Sequence, residues 1–152
     1  MISFKPLQTS EIDVAIKMMQ DFYAIDNYPI DIEVTEKLFH EFIENENLGK
    51  AYLISHSDEG RISEIIGYVI LTFVFSFEYK GRMAFLDELY ITQTARGKGI
   101  GKQTIDFIKV EAEKAKVKMM YLEIENHNKN AQKLYLANDF VFHNRKIMKL
   151  KF

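Results

Sequence analysis

Cysteine is absent from this sequence, and proline occurs only twice. Without cysteine the chain has no disulfides, no thiolate metal ligands and no cysteine nucleophile. The histidines show no metal-ligand spacing, so we expect no metal cofactor; they are His40, His56, His127 and His143. No apolar run approaches the roughly 18 residues of a membrane span, and the N-terminus has no signal-peptide core. These absences predict a cytoplasmic protein that does not bind membranes.

The 152 residues predict a single domain, residues 1–152, with its own hydrophobic core. Its charge is unevenly distributed. Residues 1–60 contain 12 acidic and 4 basic residues, whereas residues 61–152 contain 10 acidic and 16 basic residues. This division predicts a basic half for an anionic ligand and an acidic half for a cation, although an ordinary solvated surface explains the acidic half equally well. The basic residues form no stripe with interleaved aromatics, so nucleic-acid binding is not expected.

A glycine-rich loop is the most informative feature present. An apolar strand-like segment, 85–91, precedes the run Arg96-Gly97-Lys98-Gly99-Ile100-Gly101, which opens an amphipathic helix. Unpaired N–H groups at such a helix start form an anion site, and Arg96, Lys98 and Lys102 add positive charge. The spacing fits neither a P-loop, because Gln103 follows Lys102, nor a dinucleotide loop, which needs G-x-G-x-x-G.

The loop instead fits the pattern [RQ]-x-x-G-x-[GA]. A short apolar segment, Tyr121–Ile124, follows, and then Asn128-Lys129-Asn130-Ala131-Gln132-Lys133-Leu134-Tyr135 and Phe140. Together these motifs resemble the GNAT superfamily of acyl-CoA-dependent N-acyltransferases over residues 64–143. The family's usual glycine before the phenylalanine is replaced by Asp139, which tolerates the left-handed backbone of that turn.

Hydrophobic periodicity predicts an α+β fold with four helices and about seven strands. The expected strands are Ile2–Leu7, Ala51–Ser55, Ile65–Phe77, Arg82–Ile91, Tyr121–Ile124, Phe140–Phe142 and Lys146–Leu150. The expected helices are one capped by Ser10 and broken at Asn27-Tyr28-Pro29, one over Val34–Asn47, one from the glycine loop to about Lys116, and one over Asn128–Ala137. A turn is expected at Asp58-Glu59-Gly60. The element order agrees with the GNAT resemblance, which implies a mixed, mostly antiparallel sheet splayed between its fourth and fifth strands.

The resemblance assigns acetyl-CoA to this splay. It implies that the pantetheine arm lies along the backbone of Leu89, Tyr90 and Ile91, and that its pyrophosphate lies on the loop 96–102. It also implies that the Asn128 amide contacts the pantetheine. The residue's own chemistry permits a second role for Asn128, as the N-cap of the following helix.

Catalytic roles also follow from the resemblance. Tyr135 occupies the position of a phenol that protonates the departing thiolate. An alkylamine acceptor has a pKa near ~10.4 and arrives protonated, so a carboxylate must remove that proton, directly or through water. The candidates are Asp87, Glu123 and then Glu88. Alternation along the strand places Asp87 and Glu88 on opposite faces, so only one faces the acceptor unless a bulge intervenes.

These features predict an N-acetyltransferase that moves an acetyl group directly from acetyl-CoA to a primary amine in a ternary complex. The acidic first half, with Asp31 and Glu33 near the helix break, favours a cationic small molecule such as a polyamine, diamine or aminoglycoside. A non-catalytic acetyl-CoA sensor and a protein lysine or N-terminal acetyltransferase are the alternatives. The resemblance also allows a homodimer.

Overall fold

A five-stranded sheet in the order β1-β2-β3-β4-β5 forms the centre of the computed structural model, which describes residues 1–58 and 63–152. The strands are β1 (Ile2–Pro6), β2 (Gly49–His56), β3 (Glu64–Ser76), β4 (Gly81–Ile91) and β5 (Met120–Tyr121). The helices are α1 (Ile12–Ile25), α2 (Ile32–Glu44), α3 (Ile100–Lys114) and α4 (Lys129–Leu136). The first four strands pair antiparallel, and β4 pairs parallel with β5. The α+β architecture with four helices is therefore confirmed.

Helices cover both faces of β3 and β4, so these strands are apolar on both sides. Tyr68 and Tyr90 point to the face covered by α1 and α2. Val69 and Leu71 point to the opposite face, where they pack with Ile105 of α3. Because side chains alternate along a strand, consecutive residues serve two separate cores.

The helix starts differ from those expected. α1 follows a 3₁₀ turn at Thr9–Glu11, and no Ser10 cap is formed. Instead the Glu11 carboxylate accepts a hydrogen bond from the Gln8 N–H at 3.2 Å. α2 begins at Ile32, two residues before the expected Val34, because Asp31 caps it by accepting from the Val34 N–H at 3.1 Å.

The predicted splay between the fourth and fifth strands is present. β4 pairs with β5 at two positions only, Ala84 with Met120 and Phe85 with Tyr121. Beyond Phe85 the two strands separate, and β5 ends at Tyr121 rather than Ile124. The remaining part of β4 therefore has a free edge on this side.

The last two expected strands, Phe140–Phe142 and Lys146–Leu150, do not form, so the described sheet has five strands rather than about seven. Alternating side chains favour a strand, but a strand also needs a hydrogen-bonded neighbour, and these segments have none within the described chain. Asp139 has the expected left-handed backbone, with φ of 71°. The expected turn at 58–60 lies partly outside the described residues. None of the helices described is both long and apolar enough to cross a membrane.

Candidate active site

A cleft of about 800 Å³ opens where β4 and β5 separate. α1 and the α1–α2 loop form one wall, and the segment 123–135 forms the other. Its lining residues are Phe22, Tyr23, Asp26, Tyr28, Pro29, Leu86, Asp87, Glu88, Leu89, Glu123, Ile124, Glu125, Asn128, Ala131 and Tyr135. All four predicted catalytic residues are among them.

The lining of this cleft is acidic and partly aromatic. It contains five carboxylates, Asp26, Asp87, Glu88, Glu123 and Glu125, and no basic side chain. Tyrosine and phenylalanine rings stand beside these carboxylates on the α1 side. Such a lining favours cations, both by Coulomb attraction and by contact with aromatic faces.

A β-bulge at Asp87 brings two adjacent carboxylates into one cleft. Ile70 of β3 pairs with Glu88 and the next residue, Leu71, pairs with Leu86, so Asp87 is the extra residue in β4. A bulge interrupts the strict alternation of side chains and redirects them locally. Asp87 and Glu88 consequently both line the cleft, which alternation alone would not allow.

Glu88 is held by two phenols. The hydroxyls of Tyr23 and Tyr68 each donate a hydrogen bond to one of its carboxylate oxygens at 2.6 Å. Burial raises the pKa of Glu88 above its ordinary value, and the two phenol hydrogen bonds offset part of this shift. Each oxygen keeps a second lone pair, so the two hydrogen bonds fix the orientation of the Glu88 carboxylate and compete with its uptake of a proton without preventing it.

Asp87 is less constrained. Its carboxylate is exposed to the cleft and has no hydrogen-bond partner within the described parts of the chain. Partial burial by the cleft walls raises the pKa of Asp87, and the nearby Glu123 carboxylate raises it further. A carboxylate with a raised pKa and free lone pairs is well suited to accept a proton from an amine or a water molecule.

Tyr135 lies on α4 and faces the same cleft. Its ring packs edge-on against Phe140, with the ring centroids 5.5 Å apart. Burial raises the pKa of Tyr135 to about 12, so its phenol remains protonated at neutral pH. A protonated phenol in this position has a proton to donate.

The glycine loop has an open backbone. Gly97 and Gly99 adopt left-handed conformations, with φ of 77° and 75°, and a Cβ on either would meet no atom within 4 Å. The N–H groups of residues 97–101 have no acceptor among the described residues, as the start of α3 at Ile100 requires. The loop therefore presents free donors around an uncovered space, which fits a pyrophosphate.

Only part of the positive charge predicted for this loop is directed toward it. The Arg96 guanidinium donates through Nε to the Ile91 carbonyl at 2.8 Å and lies 5.6 Å from the Tyr90 ring centroid. Lys102 pairs with Asp106 on α3 at 2.6 Å. Lys98 lines a separate, smaller cleft beside β1. Arg96 thus fastens the loop to the end of β4 in addition to carrying charge.

The chain aligns with the sequence model of the acetyltransferase (GNAT) family over residues 16–140. This chain belongs to the GNAT acetyltransferase family. It is an acetyl-CoA-dependent N-acetyltransferase, and the earlier resemblance is confirmed.

Two of the proteins to which this chain is similar are named for different acceptors, a D-amino acid and an aminoglycoside. A D-amino-acid N-acetyltransferase of Saccharomyces cerevisiae is 20% identical over 149 residues, covering 88% of this chain and 81% of the relative. A predicted acetyltransferase from Clostridium acetobutylicum, solved with acetyl-CoA, superposes with a TM-score of 0.81 at 15% identity, covering 99% and 96% of the two chains. An aminoglycoside N-acetyltransferase solved with CoA gives 0.79 at 12% identity, covering 99% and 95%. The acceptor of this GNAT protein must therefore be inferred from its own cleft.

The residues of β4 and α4 that the resemblance assigns to acetyl-CoA have backbone and side-chain donors available. The Thr92 N–H donates to the Ile66 carbonyl of β3, so the backbone groups of Leu89 and Ile91 point away from β3 into the splay. Asn128 caps α4, its Oδ1 accepting from the Ala131 N–H at 3.1 Å. The capping role is thus observed, and the Asn128 side-chain amide remains as a donor beside the cleft.

Sequence reasoning missed the contacts that join the two walls of the cleft. Tyr28 donates a hydrogen bond to Glu125, and His127 Nε2 lies 2.9 Å from Asp26 Oδ1. The partners are about a hundred positions apart in the chain, so no local pattern indicated these contacts. The helix break does supply Asp26 and Tyr28 to the cleft, but Asp31 and Glu33 lie outside its lining. In the described residues no group of three or more His, Asp or Glu side chains is placed to hold a metal ion.

Proposed function

We propose that this enzyme acetylates a primary amine of a cationic small molecule, of the polyamine, diamine or aminoglycoside type. The observation that supports this proposal is the acidic cleft, with five carboxylates and no basic side chain in its lining. A polyamine or diamine carries several ammonium groups at neutral pH, and these would interact favourably with the carboxylates. An amino acid is a poorer fit, because its carboxylate would be repelled by the same groups.

The proposed chemistry is direct transfer in a ternary complex. Asp87, alone or through a water molecule, takes the proton from the acceptor ammonium. The free amine nitrogen then attacks the thioester carbonyl carbon, whose oxygen is polarised by a main-chain N–H of β4. The carbon–sulfur bond breaks, and Tyr135 transfers its proton to the CoA thiolate. The acetylated nitrogen then loses its second proton to the Tyr135 phenolate, through water, which leaves the neutral amide and restores the phenol, and Asp87 releases its proton to solvent. The chain has no cysteine, so an acyl-cysteine intermediate has no place in this scheme.

Acetyl-CoA is held in this proposal by three groups of donors. The free N–H groups of residues 97–101 would bind the pyrophosphate. The backbone groups of Leu89 and the N–H of Ile91, whose carbonyl already accepts from Arg96, would bind the pantetheine arm with the side-chain amide of Asn128. Arg96 and Lys102 would contribute charge at the entrance to the loop. Each of these groups lies on or beside the free edge of β4, on the way to Tyr135.

The deciding experiment measures CoA thiol release from acetyl-CoA with a panel of acceptors. The panel contains spermidine, a diamine, an aminoglycoside, a D-amino acid and a lysine peptide. We expect turnover with one of the first three, and a strong reduction in the Tyr135→Phe variant. Turnover with the D-amino acid or the peptide alone would contradict the proposed acceptor class. Tight acetyl-CoA binding without turnover on a wider amine panel would favour a non-catalytic sensor instead.

A further inference from the structure

Glu88 is an ionisable group in the cleft for which the proposed mechanism has no use. It lies on β4 beside Asp87, is half-buried and lines the cleft. Burial raises the pKa of Glu88, and the neighbouring charge of Asp87 raises it further. Among the described residues that line the cleft none is basic, so the protein supplies no cation to this carboxylate there. Charges withdrawn from water in proteins are normally paired.

Two phenols from different elements fix the direction of the Glu88 carboxylate. Tyr23 on α1 donates to one oxygen and Tyr68 on β3 donates to the other, both at 2.6 Å. Tyr68 is only 2% exposed, and the Tyr23 ring packs against Phe22 with the ring centroids 6.0 Å apart, so packing restrains both phenols. One lone pair on each carboxylate oxygen stays free. Glu88 is therefore an oriented acceptor with capacity for a further donor.

The amine that is acetylated is not the cation that Glu88 lacks. An N-acetyltransferase must bring an amine nitrogen to the thioester carbon, and in the proposed mechanism that nitrogen loses a proton to Asp87 before it attacks. The reacting nitrogen is then neutral, and it offers no charge to a second carboxylate. A separate ammonium group on the same acceptor would keep its charge throughout the reaction and would pair with Glu88.

The bulge in β4 sets the spacing between the two carboxylates. Because Asp87 is the extra residue, it and Glu88 both line the cleft although they are consecutive. Consecutive Cα atoms are about 3.8 Å apart, so the two carboxylates are near neighbours. Two nitrogens joined by a short methylene chain span such a separation, whereas the ends of a long chain lie too far apart.

We propose that Glu88 determines acceptor specificity by binding the second ammonium of a short aliphatic diamine, or of the diamine end of a polyamine, while Asp87 takes the proton from the first. Tyr23 and Tyr68 are positioning residues, which act by orienting the Glu88 carboxylate. The inference rests on the proposed function and narrows it to acceptors with two closely spaced amines.

The first test compares diamines that have three to eight methylene groups with monoamines of equal length. In the parent enzyme kcat/KM for the best diamine should exceed that for its monoamine at least about tenfold, with the optimum among the shorter diamines, because only a diamine makes the charged contact with Glu88. Glu88→Gln keeps the shape of the side chain and its capacity for hydrogen bonds but removes the charge. It should raise the diamine KM about tenfold and leave kcat and the monoamine KM within about twofold. A diamine preference that survives in Glu88→Gln, or a kcat that falls equally with both amines, would overturn the proposal.

Tyr68→Phe is the matched control. It removes one hydrogen bond from Glu88 and keeps the carboxylate charge, so it should lose less of the diamine preference than Glu88→Gln does. Tyr23→Phe, on the other oxygen, should behave in the same way. If both phenylalanine variants lost as much preference as Glu88→Gln, the packing of this wall rather than the charge would set the preference, and the proposal would be wrong.

Equilibrium binding separates a failure of this inference from a failure of the proposed function. Calorimetry measures the binding of butanediamine and of butylamine to the enzyme saturated with CoA. Tighter binding of the diamine, lost in Glu88→Gln, would support the inference independently of turnover. An enzyme that acetylates an aminoglycoside but does not bind the diamine would keep the proposed function and overturn the inference. An enzyme that acetylates only a D-amino acid or a peptide, and binds no diamine, would overturn both.

Discussion

At the scale of single residues, the chemistry of this enzyme depends on where protons are held. Tyr135 has a pKa raised to about 12 by burial, so it is the protonated partner at neutral pH. Asp87 has a raised pKa, and its oxygens, like those of Glu123, have no hydrogen-bond partner among the described residues, whereas both oxygens of Glu88 accept phenol hydrogen bonds. In the proposed mechanism, Tyr135 is therefore the proton donor and Asp87 the proton acceptor.

Replacing Tyr135 by phenylalanine removes the phenol proton and keeps the ring that packs on Phe140. We expect kcat to fall by about 10²-fold or more, because general acid catalysis typically contributes about 10² to 10⁴. Steady-state kinetics gives kcat, and calorimetric titration gives the dissociation constant for acetyl-CoA, which should change little. An unchanged kcat would mean that water, rather than Tyr135, protonates the departing CoA thiolate.

Asp87→Asn should lower kcat/KM by about 10²-fold, since the amide cannot accept the amine proton. In the parent enzyme kcat/KM should rise with pH as Asp87 loses its proton, and its raised pKa places this rise at a higher pH than for an ordinary aspartate. Glu123→Gln removes the charge that raises this pKa further, so the rise should move to lower pH. Glu113→Gln, on α3, is the control. An unmoved profile in Glu123→Gln would exclude Asp87 as the titrating base.

At the scale of secondary-structure elements, short segments decide the geometry. The bulge at Asp87 turns a strand that should present one carboxylate to the cleft into one that presents two. α3 and α4 also lie close together at Gly101, where an added Cβ would be 2.9 Å from Leu134 Cδ2. The glycine run therefore allows α4, with Asn128 and Tyr135, to pack against the start of α3, in addition to the anion binding proposed for it.

Gly99 and Gly101 should respond differently to alanine. Gly99→Ala meets no atom but forces a left-handed backbone, which costs about 1–2 kcal/mol, and should weaken acetyl-CoA binding by distorting the donor loop. Gly101→Ala should push aside the Leu134 side chain, next to Tyr135 in α4, and lower kcat by a small factor while acetyl-CoA binding is kept. Calorimetry and steady-state kinetics on both variants separate the two effects. Equal losses of binding and kcat in both would contradict these separate roles.

Asp31 was predicted to contact the acceptor, but its carboxylate caps α2. Asp31→Ala should lower the free energy of unfolding by about 1 kcal/mol, the usual effect of losing an N-cap. The acceptor KM should stay the same, because Asp31 is outside the lining of the cleft. Denaturant unfolding and acceptor kinetics check the two statements. Glu33→Gln is the control, at a neighbouring acidic residue that does not cap α2. A raised acceptor KM in either variant would show that the substituted residue does contribute to acceptor binding.

At the scale of the whole molecule, charged residues are unevenly distributed along the chain. The first 60 residues have a balance of −8, and the remaining residues have a balance of +6. The acceptor cleft collects carboxylates from both parts of the chain, whereas the anion loop lies in the basic part. Four of the five cleft carboxylates belong to the basic part, so the acidity of the cleft arises from the fold rather than from the charge of either part, and under the proposed function the two sites differ in charge as their substrates do.

Salt should weaken acceptor binding in proportion to acceptor charge. Between about 0.01 M and 0.15 M ionic strength the Debye length falls from about 30 Å to about 8 Å, so attraction between exposed charges is screened. We expect the acceptor KM to rise severalfold for a diamine and less for a monoamine of equal length. Measuring both KM values across this range is the test. Equal dependence for the two amines would mean that the acidic cleft does not recognise the second charge.

The sequence by itself determined the family, the glycine-rich loop and the order of elements from β1 to α4, because each is encoded by local spacing and side-chain chemistry. Tyr135 was a candidate proton donor through the family resemblance alone. The sequence did not determine the choice between Asp87 and Glu88, because a bulge arises from the register of two strands. Only the tertiary structure joined Asp26 with His127 and Tyr28 with Glu125, about a hundred positions apart. It also left the strand pattern of the tail unpaired, since alternation specifies a face to bury but not the neighbour that buries it.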